Sequence, residues 1–210
     1  MSRLTGTFRD VASSLLDEAA NLNRLDAYAG DGDLGVTMSA AARAVLGLLS
    51  DLETSSTEEV LGVCGKALAR EAPSTSGTLL ATGLLHASRV PREPNESDAG
   101  TFARMLDAAY KGIAERGKAG PGAKTMLDAL APAVIAAAKA AGNELSLALS
   151  VAAAAEAADE GAKATKDMVP RHGRAGWLAE RSVGHEDAGA RLVASMLERA
   201  SQSLRAGGRL

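Results

Sequence analysis

The sequence predicts an all-α fold, a bundle or barrel of eight antiparallel helices without a strand. Between glycine and proline markers, nearly every segment repeats its apolar residues at helical rather than alternating spacing. Alanine, the strongest helix former, occurs 45 times. No β-branched alternating run reaches strand length. With 210 residues, 46% of them hydrophobic but only 2% aromatic, the chain is long enough to bury a core made of Ala, Leu and Val between closely spaced helices.

The elements follow in order. A first helix is expected from about Leu4 to Asn23, where Leu15, Leu16, Ala19 and Leu22 make an apolar stripe. After an aspartate-rich loop, a second runs from about Val36 to Leu52. Ser56-x-x-Glu59 is a capping box, so a third helix starts there and carries Val60, Leu61, Val63 and Leu68. A fourth begins near Ser76 and ends before Pro91. The polar stretch up to Asp98 is a loop, and a fifth helix covers about Asp98 to Arg116. A sixth, about Lys124 to Ala141, is expected to kink at Pro132 and end at Gly142. The alanine-rich seventh spans about Glu144 to Lys166. A loop over Pro170 to His185 leads to the last, about Asp187 to Ala206. No linker or short internal repeat divides residues 1–210, which predicts one domain.

Net charge of −3 with scattered Lys and Arg leaves no basic footprint for nucleic acid. A lone cysteine, Cys64, has no partner for an internal disulfide and suits a reducing compartment. Charged residues interrupt the alanine stretches, so no run is expected to reach transmembrane length. The N-terminal MSRLTGTFRD lacks the apolar core of a signal peptide. The expectation is a soluble cytoplasmic protein with no membrane or nucleic-acid partner.

The loop Asp26-Ala-Tyr-Ala-Gly30-Asp31-Gly32-Asp33-Leu34-Gly35 carries three carboxylates within eight residues. Like charges that close repel unless a cation sits among them. Clustered hard oxygens suit magnesium or calcium, and magnesium uses few carboxylates, leaving positions for water and phosphate. A helix starting directly afterwards can turn free amides toward an anion. Gly30-x-Gly32-x-x-Gly35 formally matches a dinucleotide fingerprint, but that motif needs a preceding strand, and here the preceding segment is helical. An EF-hand begun at Asp31 would need an acid where Ala42 stands. The plain alternative is a solvated acidic turn whose aspartates cap the next helix.

Asp26-x4-Gly30-Asp31-Gly32-Asp33-x-Gly35-x2-Met38 resembles the metal loop of the L subunit of dihydroxyacetone kinases. Three further segments resemble that family in the same order. They are Ser76-Gly77, then Gly117-Lys118-Ala119-x-Pro121-Gly122-x-Lys124-Thr125-Met126-x-Asp128, then Gly173-Arg174-Ala175 with Glu180-Arg181-Ser182-x-Gly184-His185-x-Asp187-x-Gly189. The matching runs from about residue 22 to 190.

The resemblance implies a barrel of eight antiparallel helices with a nucleotide at one end, and phosphoryl transfer using ADP or ATP. Carried over by position, Asp26, Asp31 and Asp33 would hold two magnesium ions. Leu34, Gly35, Val36 and Thr37 would offer amides to the phosphates. Thr75, Ser76, Gly117 and Met126 would line the nucleotide pocket. Arg174 would contact phosphate, and Asp187, Ala188 and Gly189 would face the adenosine end. Standing alone, Met126 reads as core filler, Gly117 as a helix cap, Arg174 as a surface arginine and Asp187 as an N-cap. His172 and His185 are read as structural. Many relatives carry His at Leu34, Gly-Gly at Pro73-Ser74, Asp at Ala123 and Pro at Ala188, and these departures bear on the shape of the pocket.

Family partnership implies a separate K subunit holding dihydroxyacetone, with either ATP or a phosphotransferase-system protein as donor, and it leaves room for a homodimer. A related tetrose or acyl kinase domain is the alternative enzyme, and a nucleotide-sensing adaptor of a regulator is the alternative of another class.

Overall fold

In the computed structural model, which describes residues 3–170 and 182–207, serine hydroxyls mark the starts of the helices. Nine α-helices lie among the described residues: α1 (Arg3–Asp17), α2 (Ala19–Asp26), α3 (Leu34–Leu48), α4 (Thr57–Glu71), α5 (Thr75–Ala87), α6 (Asp98–Gly117), α7 (Leu127–Gly142), α8 (Leu147–Ala164) and α9 (Ala188–Ala206). Short 3-10 turns at Leu49–Leu52 and Thr165–Asp167 extend α3 and α8. Ser56, Ser74, Ser97 and Ser146 accept from the third amide of α4, α5, α6 and α8, and Asp187 does the same for α9. At Ser56 the reciprocal Glu59 contact completes the expected capping box.

Eight rods close into a ring. Each of α3 to α8 packs on its successor in sequence, α9 packs on α1, and α1 packs on α3. Hydrogen bonds from Ser195 Oγ to Glu18 (2.7 Å), Ser203 Oγ to Thr7 (3.3 Å) and Arg3 to the Leu204 carbonyl (3.2 Å) descend one helix as they ascend the other, so α1 and α9 are antiparallel. The expected barrel is present. Alternation round the ring places the end of α2, the starts of α3, α5, α7 and α9 and the end of α6 at one end of the barrel. Leu22, Met38, Leu49, Val60, Leu127 and Leu192 are fully buried, with alanine filling the space between them.

The first expected helix is interrupted at Glu18 and continues to Asp26. Backbone bonds from Glu18 to Ser14 and from Leu22 to Glu18, both 3.0 Å, span the interruption, so this is one irregular residue in one rod. Its side chain is held by Ser195 of α9. The start of α7 falls at Leu127 rather than Lys124. Lys124 has φ +59, and the Asp128 carboxylate takes the amides of Gly122 and, at 2.7 Å, Thr125, which shapes the entry as a turn.

One membrane-related expectation needs correction. Leu34–Leu52 is 19 residues long and apolar enough to pass for a span, Arg43 and Asp51 being its only charges. Its buried stripe of Leu34, Met38, Ala41, Ala42, Val45 and Leu49 faces the barrel interior, as in a core helix.

Pro132 lies inside α7 and has no N–H, so the Asp128 carbonyl one turn earlier lacks its helical donor. Gly161 of α8 occupies that spot: a Cβ there would stand 2.3 Å from the Asp128 oxygen. Gly161→Ala is therefore expected to destabilise the fold by about 2–3 kcal/mol through forced separation of α7 and α8. Gly47→Ala, an exposed helical site with nothing within 4 Å, is expected to stabilise by about 0.5–1 kcal/mol. Urea unfolding of both variants checks the pair; a neutral Gly161→Ala contradicts the close-contact account.

Candidate functional site

Asp26 is the last residue of α2 and Asp33 the residue before α3, so the aspartate loop joins two helix ends at the mouth of the barrel. The Asp26 Oδ2 accepts from the amides of Gly32 (2.9 Å) and Asp33 (3.1 Å), which folds the loop over it. Gly32 takes φ +78 to allow this turn. One oxygen from each of Asp26, Asp31 and Asp33 lies within 4.8 Å of the others; Asp26 is half-buried and the other two are exposed. Hard carboxylate oxygens at this spacing, one of them oriented in advance by backbone amides, fit a magnesium-type cation. The acidic-turn alternative loses ground here, because Asp33 stands at the N-cap position of α3 and makes no capping bond.

Capping of α3 falls instead to a residue that sequence reasoning missed. Asn23 Oδ1 accepts from the amides of Gly35 (2.6 Å) and Val36 (3.2 Å), while the Thr37 amide donates to the Asp33 carbonyl (3.0 Å). Of the four amides expected to face phosphate, those of Gly35, Val36 and Thr37 thus have protein acceptors. Gly35 also touches the opposite helix: a Cβ there would stand 1.9 Å from the Ala19 carbonyl. Leu34 is buried in the core, so where many relatives carry histidine this chain presents hydrocarbon. Val36 is 64% exposed beside the loop.

A cavity of about 480 Å³ opens at the same end of the barrel, lined by Ser74, Thr75, Thr78, Gly117, Thr125 and Met126 among others. Three residues expected to form the pocket, Thr75, Gly117 and Met126, therefore come together. Ser76 is half-buried on the first turn of α5 but does not line this cavity. Ser74 serves twice, as the cap of α5 and as a wall of the cavity. Ala123 is buried. Met126 underlies Gly189, whose Cβ would lie 3.4 Å from that of Met126, so the buried Ala188-Gly189 pair packs behind the cavity wall. Arg174 and His172 lie outside the described residues.

Two aromatic rings tie the aspartate loop to the chain before α9. Tyr28 and His185 stack with centroids 3.4 Å apart and planes 4° from parallel. Neither partner shows this from sequence, since 157 residues separate them. Arg191 fixes the same corner through Glu186 and Asp159, each at 2.7 Å.

Asp187 Oδ1 accepts from the Ala190 amide at 2.7 Å, and its own amide donates to Thr165 Oγ1 at 2.8 Å. The residue keeps some surface, but its carboxyl is enclosed. Burial pushes that carboxyl up to about 7, with Asp128 and Asp26 adding to the rise and the Ala190 amide and Lys124 opposing it. The unfolded chain loses this proton near 3.8 and the folded protein near 7. Between those values the folded state binds more protons, so stability falls as pH rises, by up to about 1.4 kcal/mol per pH unit, and levels off above 7. Asp187→Asn keeps the cap acceptor and is expected to remove this slope in magnesium-free buffer. Chemical denaturation across pH 4–8 measures it; parallel profiles for the two proteins would rule Asp187 out as the titrating group.

Comparison with known proteins places this geometry. The DAK2 domain model matches residues 28–202. A D-erythrulose kinase of Mycolicibacterium smegmatis is 39% identical over 191 residues, covering 89% of this chain and 33% of the relative. The ADP-binding subunit DhaL of the PEP-dependent dihydroxyacetone kinase of Escherichia coli is 31% identical, with 86% of both chains covered. The crystal structure of the dihydroxyacetone kinase of C. freundii in complex with AMP-PNP and Mg2+ superposes with a TM-score of 0.76 at 27% identity, over 95% of this chain and 33% of that one. The chain spans about a third of the erythrulose kinase and nearly the whole of DhaL. With its all-helical barrel and ordered motifs, the chain belongs to the DAK2 domain family, the nucleotide-binding kinase family that includes the L subunits of dihydroxyacetone kinases.

Proposed function

We propose that this chain is the nucleotide-binding unit of a small-ketose kinase, a single domain that presents ADP or ATP with two magnesium ions to an acceptor held elsewhere. The observation that carries the reading is the convergence of three aspartate oxygens within 4.8 Å at the same barrel end as a cavity lined by Thr75, Gly117 and Met126. Asp26, Asp31 and Asp33 would hold the metal, which when bound neutralises phosphate charge and fixes the phosphate chain. Phosphoryl transfer asks a protein mainly for such positioning and charge compensation. In this reading the cavity takes the nucleoside, Arg174 adds a cation to the phosphates, and Ser76, Asp187, Ala188 and Gly189 shape the adenosine end. The Gly35 and Val36 amides reach phosphate only where Asn23 yields them.

The acceptor sits on a K-type unit, either a separate subunit or a further domain of the same polypeptide; the chain covers 86% of DhaL and 33% of the erythrulose kinase. The acceptor is dihydroxyacetone or a similar small ketose, with a tetrose as the alternative; a dihydroxyacetone kinase subunit and a D-erythrulose kinase are both among the relatives. The phosphoryl donor is ATP or a phosphotransferase-system protein acting on retained ADP. Purification followed by titration with magnesium and ATP or ADP tests the reading. Asp31→Asn is expected to weaken magnesium-nucleotide binding at least about 100-fold while the fold persists, because the site loses one of its three carboxylate charges. Equal binding by Asp31→Asn and the unaltered chain would remove the basis for the proposal. Retained, non-exchanging ADP points to the phosphotransferase branch, and free exchange to ATP.

A further inference from the structure

Lys124 and Asp128 are the only charged residues fully buried among the described residues, at 3% and 6% exposure. Asp128 caps the entry to α7, but nothing in the phosphate or nucleoside contacts above uses Lys124. Its burial pushes the ammonium toward neutrality, opposed by the carboxylates of Asp187 and Asp167. Its backbone sits at φ +59, in the left-handed region that residues other than glycine seldom adopt. A costly buried cation on an unfavourable backbone implies a specific task.

The ammonium joins two distant pieces of chain. Lys124 Nζ donates to the Met168 carbonyl at 3.1 Å and to the Ser182 carbonyl at 2.6 Å, on either side of residues 171–181. The same two pieces meet again where the Gly184 amide donates to the Lys166 carbonyl (2.9 Å) and the Asp187 amide to Thr165 Oγ1 (2.8 Å). Met168 and residues 183–187 lie outside the helices, and Ser182 and Thr165–Asp167 lie at helix ends, so no ladder of backbone bonds joins the two pieces to each other. Lys124 is also two residues from Met126, which lines the cavity and underlies Gly189. One side chain therefore sets the chain entering α9 against the wall of the cavity.

We propose that Lys124 is a positioning residue for the nucleoside end of the site: it holds the turn at Asp187–Gly189 in register with Met126 without touching the nucleotide or the metal. This rests on the nucleotide reading above. It predicts a split that general damage would not produce, because the aspartate loop, though Tyr28 also stacks on His185, is held between α2 and α3 by Asn23 and by the amides bound to Asp26.

The test compares the full chain with Lys124→Met, measuring binding of magnesium-ADP and of magnesium-pyrophosphate, a probe that engages the metal end alone, together with amide hydrogen exchange. Mg-ADP binding is expected to weaken about tenfold, with Mg-pyrophosphate unchanged. The Gly184 and Asp187 amides are expected to exchange at least about tenfold faster, and the Ser150 amide at the far end to keep its rate. Lys124→Arg, which retains a cation with several donors, is expected to recover part of the ADP affinity. If Lys124→Met does not fold, Lys124→Gln, neutral and shorter but still a donor, carries the same comparison. Equal loss of ADP and pyrophosphate, or unchanged ADP affinity, overturns the proposal. An unaltered chain that binds no Mg-ADP overturns the nucleotide reading and this one with it, whereas faster exchange in the variant alone would still identify the tether.

Discussion

Three carboxylates stay within 4.8 Å of one another only if the backbone beneath them is held from outside, because their mutual repulsion would open a free loop. Here the restraint is the contact between two helices. Gly35 lies against the Ala19 carbonyl, Asn23 bonds the first amides of α3, and Asp26 accepts two loop amides. None of these contacts takes a side-chain oxygen of Asp31 or Asp33, and the helix that follows starts where the loop ends.

The barrel supplies that restraint cheaply because its walls are made of small residues. Ala133, Ala137, Ala154, Ala158 and Ala162 form the contact between α7 and α8, and Gly161 fits over the carbonyl that Pro132 leaves without a donor. Close approach gives dispersion contact along whole helices without large side chains. It also leaves little tolerance, since one added methyl group must push two rods apart. Large apolar residues are concentrated in two clusters, one between α1 to α5 and α9 and the other between α6 to α9, so α9 belongs to both and closes the ring.

The site inherits this arrangement. α9 brings Asp187 and Gly189 up to Met126 from one side, α5 brings Thr75 from another, and Tyr28 on His185 links the metal loop to the same corner. Among the described residues, the charged residues buried as whole residues are Lys124 and Asp128, both at the entry to α7. In the proposed reading, a metal end anchored by Asn23 and a nucleoside end anchored by Lys124 meet where Tyr28 stacks on His185.

Helix content and most helix starts were legible from local chemistry alone, as was the clustering of three carboxylates in one loop. The Ser56-Glu59 box, the Gly142 stop and the alternation of carboxylate with glycine from Gly30 to Gly35 act over a few residues, which is the range that sequence spacing reports. The ordered motifs of a known family extended that reading to Thr75, Gly117 and Met126, and the fold brought those three to one cavity. What stayed hidden acts across the ring: Asn23 on α3, Ala19 against Gly35, Tyr28 on His185, Lys124 on Met168 and Ser182. Each is an ordinary polar or small residue whose role depends on a partner brought near by packing, a relation that spacing along one chain does not encode. The sequence determined which groups could bind metal and phosphate; the tertiary structure decided which side chains hold them in place, because closing eight rods into a ring selects those neighbours.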